Sequence, residues 1–345
     1  MSFTLGVYIH DNPHTEGHMR DVEALAAVDR VLMAGSERAA QIAAQMYKAD
    51  FVGDWDDLMA EGEVQAVMLL TNNRDAGRMT LQAIEAGRSV YGEKPGARTA
   101  AEMQAIVEAA EQTGAHFTPC YVRRTFAETR ELRRLLGEGA IGDLWSFQAN
   151  WITSQAQLRG VEHWLFDEEL AGGGILYWLG CHWIDTLRFV TCQRISSVCA
   201  MTATQDERIS VEDVACLSVR LEGGAVGTLR CGYLLNPYDD YDDHQLMIAW
   251  EGSLGSLSHF PKGPVTLRLR TRAGHDAPGA ELREMRIDER RPGGYACYLL
   301  ADVVEAASQG REPMVTERDA LYVMRVIEAA YEAARTGTEQ VVERD

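Results

Sequence analysis

Two short segments carry side chains suited to moving protons. Tyr91-Gly-Glu-Lys-Pro95 sets Lys94 between an acid and a proline that fixes the turn, directly after an apolar strand. Gly172-Gly-Gly-Ile-Leu-Tyr-Trp-Leu-Gly-Cys-His182-Trp-Ile-Asp185 sets His182 on a helix that starts from glycines. An ammonium that hydrogen-bonds a hydroxyl, and an imidazole that takes its proton, are the parts needed to deprotonate an alcohol in one cleft. On a continuous α-helix Trp178 stands one turn from His182 and faces the same space. Indole donates but has no acid–base function at neutral pH, so the histidine alone would carry protons. Each residue also has a plainer reading. Lys94 can be a salt bridge with Glu93 or another acid, and His182 a hydrogen-bonded core histidine. Trp178 can stack on a ring, plug a pocket or belong to the core.

His10, His14 and His18 repeat every four residues, the spacing that aligns metal ligands on a helix. Pro13 and Gly17 argue against a helix through His10 and His14, so the expectation is no metal site, with loop histidines lining the mouth of a cleft.

The elements that must position these residues fall into two patterns. Up to about residue 120, short apolar strands (Phe3 to Ile9, Arg30 to Ala34, Val64 to Leu70, Ser89 to Tyr91) alternate with helical stretches (Glu16 to Ala27, Ser36 to Tyr47, Arg74 to Ala86). Such runs indicate parallel βαβ units in a sheet covered on both faces, whose ligands bind outside the carboxyl ends of the strands. Thr71-Asn72-Asn73 and Glu93-Lys94-Pro95 fall there. After Tyr121, amphipathic helices (Phe126 to Leu136, Ile175 to Val190) precede long alternating segments (Asp213 to Leu221, Ala225 to Leu234, Gln245 to Trp250, Val265 to Thr271). Glu222-Gly-Gly224 is a hairpin turn, Asn236 to Asp243 a short acidic loop, and two helices, Tyr295 to Ala307 and Glu317 to Arg335, close the chain. The expected architecture is a Rossmann-like α/β domain over residues 1–121, followed by an α+β domain over 122–345 with a large, mostly antiparallel open sheet.

A chain of 345 residues with 46% hydrophobic content is long enough for two cores, and its net charge of −19 repels phosphate backbones and anionic membranes. Seven cysteines without CxxC spacing read as buried, reduced thiols, which suits the cytoplasm. No leader-like or membrane-spanning run is expected.

Both opening segments, and the layout of the whole chain, resemble the Gfo/Idh/MocA family of glucose–fructose oxidoreductase and inositol dehydrogenase. Gly172, Gly173, Gly174, Leu176, Gly180, His182 and Asp185 agree with its GGGxLxDxGxHxxD motif, with Trp178 in place of the first aspartate. Tyr121-Val-Arg-Arg124-Thr-Phe126, Gly139-Ala-Ile-Gly142, Val211-Glu-Asp213, Gly252-Ser-Leu-Gly255 and the closing Ala329 to Gly337 fit as well. The resemblance implies hydride transfer between NAD or NADP and a sugar, inositol or related polyol, with Lys94 polarising the reacting oxygen and His182 as general acid/base. It also implies that Trp178, Tyr177, Asp185, Trp164 and Arg124 serve the substrate, and that His10, Asn12, Thr15, Ser36, Arg38, Thr71, Asn73 and Glu93 serve the cofactor.

Several positions depart from the family pattern. Counted without gaps, the three glycines of its GxGxxG turn are His10, Asn12 and Thr15, while His18 holds the histidine position. Met33, Ala34 and Gly35 stand where a ribose-binding acid is usual; Ser36 and Arg38 could instead meet a 2′-phosphate, which would favour NADP, or Arg38 can be a solvated charge at a helix start. Thr71-Asn72-Asn73-Arg-Asp-Ala76 replaces TPNxxH. Two further readings use the same cleft: a non-redox acid–base enzyme (elimination, isomerisation or hydrolysis), and a binding protein without catalysis. The exposed face of an antiparallel sheet suits a homodimer or homotetramer.

Overall fold

The computed structural model describes residues 2–235, 244–260, 266–274, 281–287 and 291–344. By its internal contacts the chain divides into two units: residues 1–122 with 169–172 and 290–324, and residues 123–168 with 173–289 and 325–345. The segment 290–324 thus goes with the first unit although it follows the second in sequence.

The first unit is built on six parallel strands: β1 (Thr4–Ile9), β2 (Arg30–Gly35), β3 (Ala49–Gly53), β4 (Val64–Leu70), β5 (Ser89–Gly92) and β6 (Phe117–Pro119). Their order, β3-β2-β1-β4-β5-β6, reverses direction between β1 and β4, the switch point where doubly wound sheets take ligands. Leu5, Val7, Ile9 and the run Ala66–Leu70 are buried, as strands covered on both faces require.

The register sets the carboxyl edge. Ile9 lies opposite both Gly35 and Leu70, and Leu69 opposite Gly92. His10, Ser36, Thr71 and Glu93 therefore follow along one edge, and the ladder continues through His10 N–H to the Leu70 carbonyl (2.8 Å) and Ser36 N–H to that of Ile9 (2.9 Å). Gly35 sits at φ +113°, where a side chain would run into the Ile9 carbonyl. The helix after β4, Asn73–Glu85, is capped by Asn72, whose side chain accepts from Asp75 N–H at 3.0 Å.

Among the described residues the second unit carries nine strands: β7 (Leu144–Thr153), β8 (Ile195–Ala203), β9 (Val214–Leu221), β10 (Val226–Gly232), β11 (His244–Gly252), β12 (Gly255–His259), β13 (Leu267–Thr271), β14 (Glu281–Met285) and β15 (Gln340–Val341). They run in the order β14-β13-β12-β11-β7-β10-β9-β8-β15, antiparallel throughout except for β7 with β10. Along β9, Ala215, Leu217, Val219 and Leu221 are buried while Cys216, Ser218 and Arg220 face out. This alternation corrects one expectation. All seven cysteines are free thiols, but Cys192, Cys199 and Cys216 are exposed: Cys199 and Cys216 because an apolar-looking strand still turns every second residue outward, and Cys192 because it ends the helix Cys181–Thr191. The acidic loop read over residues 236–243, and the start of the strand read from Val265, lie outside the described residues.

Within the first unit the late segment is tied to β6. The Glu317 carboxylate, fully buried, accepts the Phe117 N–H (3.1 Å) and stands 3.4 Å from His116 Nδ1, while Thr118 Oγ1 donates to the Val315 carbonyl (2.9 Å). The bond to Glu317 raises the His116 pKa above its ordinary 6.5 against the opposing effect of burial. A raised folded-state value stabilises most at pH below 6.5 and the contribution is lost as pH climbs through the elevated value. Thermal melts should therefore fall between mildly acidic and mildly alkaline pH by more in the wild type than in His116→Gln; equal pH slopes would contradict this.

Candidate functional site

At the carboxyl edge of the first sheet, the turn after β1 is held by its own side chains. Asp11 takes φ +43°, Asn12 Oδ1 accepts from His14 N–H (2.9 Å), and Thr15 Oγ1 donates to the Asn12 carbonyl (2.7 Å). Asn12 and Thr15 are buried, so two of the three positions that replace glycines are filled with hydrogen-bonded side chains; His10 is exposed. The helix Thr15–Ala24 starts here with His14 as its N-cap, and Gly17 lies within it. His18 is therefore a buried helical residue and not a loop histidine.

The two histidines meet an acid that directly follows β5. Glu93 Oε1 lies 2.8 Å from both His14 Nδ1 and His18 Nε2. The Tyr295 hydroxyl stands 3.1 Å from His18 Nε2 and 3.3 Å from Glu93 Oε1. On the far side of the His18 ring, Nδ1 is 3.5 Å from the Tyr91 hydroxyl and 4.0 Å from Asp21 Oδ2. Asp21 is itself fixed by the N–H groups of Gly294 (2.6 Å) and Ala296 (3.2 Å). Burial pushes the Glu93 carboxyl up, but the facing His14 and His18 outweigh it and hold the group well below the usual carboxylate range.

The remaining edge residues differ in what they already bond. Lys94 is buried directly after Glu93. Asn73 Nδ2 donates to the Ala171 carbonyl (2.8 Å), and Arg38 forms an exposed ion pair with Glu16 (3.0 Å). Ser36 is half-buried and caps the helix Glu37–Ala43 without a side-chain bond. Among the described residues, Asn12 Nδ2, Thr71 Oγ1 and Glu93 Oε2 are buried polar atoms without a hydrogen-bond partner.

In the second unit the glycine-started motif is wound differently from the expected α-helix. Leu176–Gly180 is a π-helix, which passes into the α-helix Cys181–Thr191. A wider turn breaks the four-residue stacking that would bring Trp178 and His182 onto one face. Trp178 is buried, its ring edge-on to Trp164 (6.3 Å) and 5.6 Å from the Arg159 guanidinium, whereas the buried His182 lies 5.7 Å from Trp151. Tyr177 stacks on Tyr331. Arg124 and Asp185 pair with each other, Arg124 Nε standing 3.0 and 3.1 Å from the two carboxylate oxygens.

Two residues that sequence reasoning passed over organise this region. Glu212 accepts from Gly174 N–H (2.8 Å), Leu176 N–H (2.9 Å) and the Tyr331 hydroxyl (2.9 Å), while its own carbonyl accepts from Ile175 N–H (3.1 Å). It thus satisfies the donors at the start of the motif helix. A side chain at position 174 would strike the Glu212 carbonyl, and one at 173 the Tyr331 hydroxyl, which explains both glycines. Arg123, buried beside the chosen Arg124, lies over the rings of Trp151 (4.8 Å) and Trp183 (4.4 Å), and burial pulls its pKa down to about 10.

A doubly wound sheet with a polar carboxyl edge, joined to a unit on an open antiparallel sheet, defines a two-domain enzyme scaffold of the dinucleotide-binding class. Residues 6–121 match the family model described as "Oxidoreductase family, NAD-binding Rossmann fold", and residues 129–258 match the GFO/IDH/MocA C-terminal domain. The chain belongs to the Gfo/Idh/MocA oxidoreductase family. It is 26% identical over 321 residues to the 1,5-anhydro-D-fructose reductase of Ensifer adhaerens, covering 91% of this chain and 90% of the relative. It is 29% identical to inositol 2-dehydrogenase 2 of Saccharopolyspora erythraea, covering 92% and 88%. The structure of levoglucosan dehydrogenase in complex with NADH and L-sorbose superposes with a TM-score of 0.86 at 21% identity, over 100% of both chains. Among the described residues no helix is long and apolar enough to cross a membrane.

The family implies a nicotinamide dinucleotide, and the edge fits one. Buried Thr71 Oγ1, Asn12 Nδ2 and Glu93 Oε2, each without a partner among the described residues, supply donors and an acceptor around the switch point. The fit rests on these polar groups and not on a glycine cradle.

Gly174→Ala should cost about 1–3 kcal/mol through overpacking against Glu212, read as a melting temperature lower by roughly 2–10 °C. Gly224→Ala, in a turn where a side chain meets nothing within 4 Å but φ is +91°, separates backbone strain from collision. A larger loss at 224 than at 174 would overturn the packing account.

Proposed function

We propose that this protein is a nicotinamide-dependent oxidoreductase that moves a hydride between NAD(P) and a hydroxyl carbon of a sugar, inositol or related polyol. The observation that carries this reading is Lys94, buried at the carboxyl edge of the matched NAD-binding sheet, directly after the strand whose last residues align with the switch point. When bound, the cofactor supplies the hydride acceptor for oxidation or the donor for reduction. Asn12, Thr71 and Glu93 hold it by hydrogen bonds, with Asn73 bracing the edge through its bond to Ala171. Ser36 and Arg38 meet the adenosine end, where an arginine favours a 2′-phosphate. His10 and Thr15 flank the first turn.

On the substrate, the Lys94 ammonium hydrogen-bonds the reacting oxygen and lowers the cost of its negative charge, and His182 takes the hydroxyl proton or returns it in reduction. Trp164, Trp178 and Tyr177, aromatic side chains buried in the second unit, serve the substrate there. Arg124 and Asp185, paired, hold the His182 helix in place for the substrate. Side chains in place of glycines at Asn12 and Thr15 favour the second reading, non-redox acid–base chemistry with the same lysine and histidine.

Titration with NAD and NADP by calorimetry separates the two. Binding in the micromolar range, NADP tighter than NAD and Arg38→Ala removing that preference, supports the redox reading. No binding at millimolar concentration ends it. With cofactor bound, Lys94→Ala and His182→Ala should each lower kcat by about 10²–10⁴-fold on the polyol that serves best, leaving cofactor affinity in place.

The exposed face of the second sheet, with Met201 81% and Val226 45% exposed, supports a homodimer or homotetramer, and seven free thiols support a cytoplasmic location. Light scattering after gel filtration should give a multiple of 38.3 kDa that Met201→Glu shifts toward one copy; a monomer in the wild type would refute the assembly.

A further inference from the structure

We propose that His14, His18 and Glu93 form a binding site for a divalent transition-metal ion of the zinc class. Two imidazole nitrogens and a carboxylate oxygen are a donor set such ions take, and the three ligand atoms lie within 4.8 Å of one another. Metal–ligand distances of about 2.0–2.2 Å place the ligands of a tetrahedral ion roughly 3.3–3.5 Å apart. The 2.8 Å contacts of Glu93 Oε1 with His14 Nδ1 and His18 Nε2 thus need to open by roughly 0.5–0.7 Å (3.3–3.5 less 2.8).

The surroundings are those of a built site. His14 and His18 stand four residues apart at the start of one helix, with His18 N–H bonded to the His14 carbonyl at 3.1 Å, so their spacing is set by the backbone. Glu93 directly follows β5, is 5% exposed, and its second oxygen has no partner among the described residues. The Tyr295 hydroxyl, 3.1 Å from one candidate ligand atom and 3.3 Å from another, is placed to be a fourth donor. Behind His18, Asp21 and Tyr91 face Nδ1, the position from which a carboxylate orients a metal-binding imidazole. The His14 side chain, 26% exposed, leaves a path for entry, while those of His18 and Glu93 are closed off. His14 lies in the turn that departs from the family's glycine pattern, whereas His18 holds the family's histidine position. The site does not depend on the redox reading, since the ligands are complete without a dinucleotide.

Tag-free protein, dialysed against a chelator, tests this by calorimetric titration with zinc chloride and by visible absorption after loading with cobalt(II). One equivalent is expected, with a cobalt spectrum of low coordination number and a higher melting temperature on zinc addition. His14→Gln and Glu93→Gln should abolish the stoichiometric binding, and Asp21→Asn should weaken it about 10–100-fold. His14, at the surface, is the variant whose folding is safest; unchanged far-UV circular dichroism qualifies it, and it decides the matter alone if Glu93→Gln fails to fold. No stoichiometric binding by the wild type, or one equivalent retained in His14→Gln, would overturn the site. NAD(P) titration of the same samples reports separately on the redox reading.

Discussion

The carboxyl ends of four strands finish level, and everything in the first unit hangs on that alignment. Ile9 opposite Gly35 and Leu70, and Leu69 opposite Gly92, bring residues far apart in sequence onto one edge. Since side chains alternate along a strand, a slip of one residue in any pair would turn the edge groups to the other face. Buried apolar strands resist such a slip because it would expose the core. The polar edge is affordable only because the hydrophobic interior fixes its geometry, and Lys94 and Glu93 inherit their places from Val90 and Tyr91 beneath them.

The parts of this fold that follow from local periodicity were legible. β4 is apolar apart from Gln65, and its bounds in the structure are those its residues suggest. β3 escaped notice because it is an edge strand whose residues are half-buried or exposed, with Phe51 partly in solvent, so no apolar run marks it. β6 has three residues, too few for a period to show. Lys94, His182 and the glycine motif stood out as candidates by residue type and position. The union of His14 and His18 with Glu93 did not, since it spans 79 and 75 residues and only the sheet topology creates it. The placing of Trp178 relative to His182 was misjudged for a different reason. Spacing arguments assume 3.6 residues per turn, and a π-helix leaves no obvious trace in composition.

The second unit solves a problem of backbone donors. A helix start buried in protein leaves N–H groups that water cannot reach, and Glu212 answers several at once. The glycines at 173 and 174 are the room this requires, so the motif's glycine run reflects close packing as much as flexibility. Burial raises the Glu212 carboxyl while the backbone and tyrosine donors oppose that shift. Arg123, lying over two neighbouring indoles, shows the same unit tolerating a buried cation by offering it aromatic faces.

The return of residues 290–324 to the N-terminal unit bears on how this architecture can be inherited. Cutting after Val122 would not yield a free-standing nucleotide module: Asp21 would lose the N–H groups of Gly294 and Ala296, Glu93 its tyrosine, and Phe117 its acceptor on Glu317. Recombination that swaps the front half alone would leave these groups stranded in an apolar interior. The two stretches form one physical block, interrupted along the chain by the second unit, so a change on one side of these bonds is felt on the other.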